Sequence, residues 1–509
     1  MKNSLLQSMA WLHTWAGLVA GWLLFAIFVG GTLACFDKEL DDWMRPALHG
    51  TQPPETPRFD AAMAWARERM PDAHAWWAHA GTARDRAVTV HAAHDDGTVA
   101  SAALDPNTGA LVPDTAGGSF FFELHYNLHA GTPGMYVVGL AGMLMLVALV
   151  AGVLIHKRIF KDFFTFRPRA GGQRAWLDGH NLTAVLALPF HLMIAYSGVA
   201  IFVASYVFGG VQAGYGGDMA KFWEEAGGYY EREEVGRPLP RLHSLDALVA
   251  DAQRRMGAPV DWASVHHPDD ASAVIQFGTR HDRAVAWDMQ QVTYDASDGR
   301  FLHQTPPPGP AFRTYAFLGG LHMVQFGGGA LRWLYFLLGL CGCAMIASGM
   351  QVWVRKRAAR VARAGALSGH GLVRALNVGV VGGMPLACVA MLWANRLLPP
   401  GLPARADAEV QAFCAAWILA ALWGAWAERR GHGWRDLFAT TAAALLLLPV
   451  LNLLTTAHSH LPATLARGEY ALAAVDLTAL ALGLGFAALA WRLRGRRMPH
   501  AARAVEAGA

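Results

Sequence analysis

Eight stretches of this chain are long and apolar enough to cross a lipid bilayer, and they decide most of what it can fold into. They run approximately 10–35, 133–156, 179–208, 331–354, 373–397, 410–427, 435–456 and 470–491. A hydrocarbon core about 30 Å thick takes roughly 20 helical residues to span. Within it every backbone N–H and C=O must be satisfied inside the segment, so runs of this length are expected as helices. Only 16% of the residues are charged, against about 25% in a soluble chain. The net charge of +4 comes from short basic loops. The lipid bilayer is therefore the expected partner and nucleic acid is not. The first segment is too long for a cleaved signal peptide, and Thr32-Leu33-Ala34-Cys35 is out of register for a lipoprotein site.

Lysine and arginine set the orientation, because short cytoplasmic loops carry an excess of both. The loop after the second segment holds Lys157, Arg158, Lys161, Arg167, Arg169 and Arg174. The loop after the fourth holds Arg355, Lys356, Arg357, Arg360 and Arg363. Arg429 and Arg430 follow the sixth, and Arg492, Arg494, Arg496 and Arg497 follow the last. All fall on one side, expected to be the cytoplasmic face of a bacterial inner membrane, with both termini inside. Two long polar stretches, near 36–124 and 209–321, then lie outside. Each ends in strand-like text interrupted by a turn, Asp105 to Gly109 in the first and Asp295 to Gly299 in the second. An Asx residue four before a glycine between alternating runs marks a hairpin, so small α+β units are expected there.

The first four segments read as two copies of one unit: helix, outer domain, helix. Gly31 follows His13 by 18 residues, and Gly198 follows His180 by 18 residues. Leu124-His125 and Leu321-His322 each precede a glycine-rich stretch, then Gly139-Leu140 and Gly339-Leu340. Gly152 lies four before His156, and Gly349 four before Trp353. Both copies insert in the same direction, so they are parallel repeats about an axis along the membrane normal. That symmetry sets His13 opposite His180 near the inner surface, and His125 opposite His322 near the outer one. Ionisable groups in membranes are costly and tend to be functional. Two pairs of neutral imidazoles suit the iron of two bis-histidine haems, whose filled axial positions exclude oxygen. The glycines allow close approach of backbones or of a flat macrocycle. Trp11, Trp15, Phe121, Phe122 and Trp333 would supply an apolar wall. No C-x-x-C-H occurs among Cys35, Cys341, Cys343, Cys388 and Cys414, so the haem would be non-covalent b-type.

Three further histidines compete for the same roles. His156 could replace His13 or His180, and His129, one turn after His125, could be the outer ligand. His191 lies 11 residues after His180, hence on the same helix face about 16 Å deeper. It could serve a third site or pack. His458 and His460 are read as solvated, and His74, His79, His91, His94, His266 and His267 lack a clean ligand spacing and are read as surface.

At these residues the sequence resembles the PepSY-associated transmembrane family, also called iron-regulated membrane proteins, over roughly residues 5–357. The resemblance rests on His13-Thr14-Trp15-Ala16-Gly17, Leu124-His125, Gly152 through Asp162, and Asp178-Gly179-His180-Asn181-Leu182. It continues in Leu188-Pro189-Phe190-His191 through Ser197-Gly198, in Leu321-His322, and in Ser348-Gly349 with Trp353. It implies an all-α polytopic membrane protein with two small α+β PepSY-like periplasmic domains and a four-helix haem-binding core. The implied parts are membrane segments at 1–35, 125–158, 179–208 and 322–357. PepSY-like domains fall at 36–124 and 209–321, a cytoplasmic loop at 159–178, and a four-helix extension at 373–491. The extension lies outside the core match and is expected to pack or bind a partner without chemistry.

Family members include inner-membrane ferric-siderophore reductases with two b haems. The resemblance thus implies an oxidoreductase of iron uptake. A cytoplasmic flavin or flavoprotein would donate electrons, which pass through the inner and outer haems to a ferric siderophore or other ferric chelate in the periplasm. No G-x-G-x-x-G stands in a cytoplasmic strand-turn-helix setting, so nicotinamide is not expected to bind. The alternative is a non-enzymatic, membrane-anchored PepSY binding or regulatory protein. That reading leaves the four symmetric histidines unexplained.

Overall fold

The computed structural model describes residues 4–94, 96–156, 167, 172–228, 230–287, 290–364 and 369–494. The basic residues Lys157, Arg158, Lys161, Arg169, Arg496 and Arg497, and the motif residues 159–162, lie outside the described residues. The chain divides into two compact units. The first comprises Met1–Met44, Thr115–Val199 and Trp333–Ala509; the second comprises Arg45–Asp114 and Ala200–Arg332.

Among the described residues six helices are long and apolar enough to span a membrane. They are Gly131–Ile155, Gly328–Ala358, His370–Leu397, Arg405–Arg429, Gly433–Thr455 and Tyr470–Leu493. The first and third expected spans are each a bent pair of helices. Leu5–Val19 meets Gly21–Ala34 at 62°, and Gly172–Leu186 meets Leu188–Ala200 at 67°. The breaks fall at Ala20 and Ala187, in each case seven residues after the histidine of the repeat, His13 or His180. Pro189 explains the second, since it removes a backbone donor and its ring clashes one turn back. At the first, Gly21 lets the helix press against Met350, whose sulfur would stand 3.2 Å from an added Cβ.

The last four spans pack through small residues. A Cβ at Gly379 would lie 3.0 Å from Ala421, and one at Gly383 would lie 3.2 Å from Ala420, so the backbones approach closely. Trp393 donates to the Ala444 carbonyl, Trp417 to that of Gly379, and Trp22 of the first bent pair to Asn377. These helices also hold charge that the apolar text concealed. Arg396, Arg405, Glu409, Asn395, Asn452 and Asp476 are all buried. Glu409 accepts from Arg405 at 2.6 Å, from Asn395 at 2.8 Å, from the Thr115 hydroxyl at 2.6 Å and from the Ala116 N–H at 2.9 Å. Arg396 donates to Asn395, Asn452 and the Trp43 carbonyl, and its guanidinium lies 3.6 Å over the Trp43 ring.

The second unit is built on one seven-stranded antiparallel sheet of order β3-β2-β1-β4-β5-β6-β7. The strands are β1 (Ala75–His79), β2 (Val88–Ala93), β3 (Val99–Leu104), β4 (Val260–His266), β5 (Val274–Thr279), β6 (Gln291–Asp295) and β7 (Phe301–Gln304). The two outer stretches therefore share a single sheet, joined where β1 pairs with β4. Pairing them removes two strand edges that separate sheets would leave open. The helices Asp60–Arg69 and Val249–Met256 contribute to one apolar cluster with the sheet, around Trp76, Val265, Phe277 and Tyr294. Aspartates of the two stretches bind one another's chain at or just before their helices. Asp246 accepts from the N–H groups of Phe59 and Asp60, and Asp60 accepts from Ser244 and Leu245. The Asx turns stand where the sequence puts them. Asp105 accepts from Asn107 and Thr108 ahead of Gly109 (φ 70°), and Asp295 from Ser297 ahead of Gly299 (φ 75°).

Candidate functional site

Within the first unit the fold brings the His13 and His180 rings together edge-on. Their ring centroids are 6.2 Å apart and their planes cross at 68°. His13 Nδ1 lies 2.8 Å from the Ala148 carbonyl, and His180 Nδ1 lies 2.8 Å from that of Met345. A carbonyl only accepts, so Nδ1 carries the proton in both rings and Nε2 keeps its lone pair. Fixing one nitrogen this way is how proteins orient imidazole ligands. A centroid separation of about 6 Å would suit one metal ion held by both rings, with bonds of roughly 2 Å. The observed pair has that separation.

The two histidines are seated alike. A Cβ at Gly152 would lie 3.1 Å from His13, and a Cβ at Gly349 would lie 3.0 Å from His180. The carbonyl bonded by each ring comes four residues before that glycine: Ala148 before Gly152, Met345 before Gly349. His125 follows the same rule. Its Nδ1 lies 2.9 Å from the carbonyl of Ile27, four before Gly31, and a Cβ at Gly31 would lie 2.7 Å from that nitrogen. In a helix each such carbonyl already accepts from the N–H one turn on. Without a Cβ there, an imidazole can reach the second lone pair. The sequence pairs each histidine with a glycine on its own helix. The structure instead shows that each seat is supplied by another helix.

The remaining histidines separate clearly. His322 occupies the last turn of Pro310–Met323, in the second unit, whereas His125 belongs to the first. His129 has both ring nitrogens engaged, Nε2 2.8 Å from the Phe120 carbonyl and Nδ1 3.2 Å from Glu123, and it stacks on Phe120. It has no nitrogen left for a metal. His156 follows the C-terminus of Gly131–Ile155 and is not part of the His13–His180 ring pair. His191 lies beyond the 67° break, so a straight-helix estimate of its depth does not hold. It is fully buried, and neither ring nitrogen is hydrogen-bonded; the Leu338 carbonyl approaches outside hydrogen-bonding geometry. Its ring stands edge-on to Phe28 at 6.1 Å. His460 Nδ1 caps the helix Leu461–Ala466. Of the expected aromatic wall, Phe121 is buried and Trp333 packs on Phe36, while Trp11 and Trp15 are exposed.

The donor set fits a bis-imidazole haem at His13 and His180. The two imidazoles lie 6.2 Å apart, the Nδ1 of each is fixed on a backbone carbonyl, and the glycine seats leave no side chain between ring and helix. A protein of Pseudomonas aeruginosa described as uncharacterized is 28% identical over 389 residues, covering 72% of this chain and 93% of its own. Residues 10–356 match the PepSY-associated TM region. With six or more membrane-length helices, this chain is a multi-pass membrane protein and belongs to the PepSY-associated transmembrane family.

Proposed function

We propose that this chain is a haem-containing reductase of a bacterial inner membrane. It would pass electrons from a cytoplasmic flavin or flavoprotein to a ferric siderophore or other ferric chelate outside, freeing Fe(II) for uptake. The observation that carries the reading is the His13–His180 pair, 6.2 Å apart with both Nδ1 atoms on backbone carbonyls. A haem held by two imidazoles carries one electron at a time and has no open position for oxygen. His13 and His180 would hold one such group. Ala148 and Met345 keep their tautomers fixed, and Gly152 and Gly349 keep the rings seated. His125, on the seat at Gly31, would hold the second, with His322 as the partner that the sequence repeat assigns. The excess of Lys and Arg in the short loops at the His13 end supports a cytoplasmic face there, with both termini inside. The outward direction of electron flow follows from that sidedness.

Two expectations test this. Purified protein should carry about two haems per chain, all removed by acid-acetone because no thioether anchors them. In sealed vesicles of known orientation, reductant is trapped on the cytoplasmic-face side. Ferric chelate and a ferrous-specific dye are added on the other. Dye should develop with the haem-loaded wild type and fail with His322→Ala. Haem that reduces normally while no ferric chelate reoxidises it would remove the ferric-reductase assignment.

The glycine seat makes a separate prediction. Gly31→Ala sets a methyl carbon 2.7 Å from His125 Nδ1, well inside van der Waals contact, so the ring must leave the Ile27 carbonyl. Haem titration should show weaker retention of one equivalent, by about 10–100-fold, the usual loss when a ligand's orienting partner is removed. Equal retention in Gly31→Ala and wild type would show that the seat does not matter.

A further inference from the structure

Three histidines of the second unit, His74, His266 and His267, are not scattered surface groups. His74 immediately precedes β1 and His266 ends β4, and the β1–β4 register sets Ala75 opposite His266. His267 follows, and its N–H donates to the His74 carbonyl at 2.8 Å. Adjacent strand residues point to opposite faces, so the His266 and His267 rings would ordinarily diverge. His267 instead takes φ of +50°, a left-handed conformation uncommon outside glycine. The chain turns there, and both rings reach one carboxylate.

That carboxylate is Glu231. Its Oε1 lies 3.3 Å from His267 Nε2, 3.6 Å from His266 Nδ1 and 3.7 Å from His74 Nε2. These separations are longer than a normal N–H···O bond. They match the edges of a coordination tetrahedron, about 3.3 Å for bonds of 2.0–2.1 Å. His266 Nδ1 is buried and makes no hydrogen bond. His267 Nδ1 lies 2.8 Å from Glu234, the carboxylate–histidine arrangement that orients a metal ligand. His74, Glu231 and His266 have their donor atoms within 4.8 Å of one another, as do His74, Glu234 and His267. The two triads share His74.

We propose that this cluster binds one divalent first-row transition-metal ion. His74, His266 and Glu231 are the primary ligands, and His267, held by Glu234, is the neighbouring fourth ligand and third nitrogen. Imidazole with carboxylate and no thiolate suits Zn(II) or Fe(II) rather than Cu(I), and a nitrogen-rich set does not suit Ca(II) or Mg(II). The Glu231 side chain is 48% exposed. A cleft of about 330 Å³ opens beside the cluster, lined by Asp72, His74, His94, Glu234, Arg237 and His267. The ion is therefore exchangeable, unlike one in a closed structural site. This inference does not depend on the haem reading.

The test uses the full-length chain purified with its native cofactor content and without a histidine tag. The protein is stripped with EDTA, equilibrated with Zn(II) and gel-filtered. Zinc per chain is then counted by mass spectrometry and affinity measured by calorimetry. One zinc per chain is expected. His74→Ala should abolish that stoichiometric binding, Glu234→Gln should weaken it by about 10–100-fold, and His91→Ala, away from the cluster, should leave it unchanged. Glu231→Gln keeps the side-chain shape and decides the matter should His74→Ala fold poorly, as judged by its elution profile. The proposal is overturned if the wild type binds no zinc, or if well-folded Glu231→Gln binds it as tightly as the wild type.

Discussion

His180→Ala is expected to take the protein from about two haems per chain to about one, because each bis-imidazole site needs both axial nitrogens. His13→Ala should have the same effect, since the two rings stand 6.2 Å apart. The loss should be selective. His125 sits on a different seat, formed by Ile27 and Gly31, and its haem should remain with an unshifted α-band. His129→Ala should keep both haems, because both of its nitrogens are already engaged by Phe120 and Glu123. The measurement is a reduced-minus-oxidised spectrum with a haem-to-protein ratio for each variant. Spectrum and stoichiometry that survive His13→Ala would move the inner ligand to His156. Survival of both in His180→Ala would end the paired-ligand reading altogether.

Much of the fold was legible in the sequence because it rests on repetition. Apolar length gave the spans, and the 18-residue interval from His13 to Gly31 and from His180 to Gly198 exposed the repeat. The Asp-to-Gly turns gave the ends of the outer strands. What the text hid depends on partners distant in sequence. Which glycine seats which histidine is decided by helix packing, and Gly152 reaches His13 across more than a hundred residues. The single sheet depends on β1 meeting β4, a pairing that no local pattern encodes. The metal-ligand cluster escaped for the same reason, since His74 and His266 are neighbours only through that register. One signal was available: His266-His267 adjacent at the end of a strand, with Glu231 and Glu234 upstream. The breaks in the first and third spans divide differently. Pro189 announces one, whereas nothing at Ala20 announces the other.

The four-helix extension is expected to pack or bind a partner without chemistry, and its buried charges give its packing a specific consequence. Glu409 is fully buried and stands at the centre of the cluster. It joins Arg405 and Asn395 of the extension to Thr115 and Ala116, just before the Ser119–Tyr126 helix that carries His125. Asp41 holds the next turn of that segment through the Gly118 N–H at 3.1 Å. Glu409→Ala leaves the Arg405 guanidinium buried without its carboxylate, and the Thr115 hydroxyl and Ala116 N–H without their acceptor. Breaking a buried ion pair from one side costs about 3–5 kcal/mol, so a large fall in melting temperature in detergent is expected. Glu409→Gln keeps the shape and a carbonyl acceptor but loses the charge, and should fall between the two. Thermal unfolding followed at the Soret band separates anchoring from bulk stability. Strain released at Thr115 reaches His125 first, so below the melting transition Glu409→Ala should lose the His125 haem before the His13–His180 haem. Simultaneous loss of both would reduce the extension to a general stabiliser. An unchanged melting temperature would show that the buried cluster does not anchor the His125 helix at all.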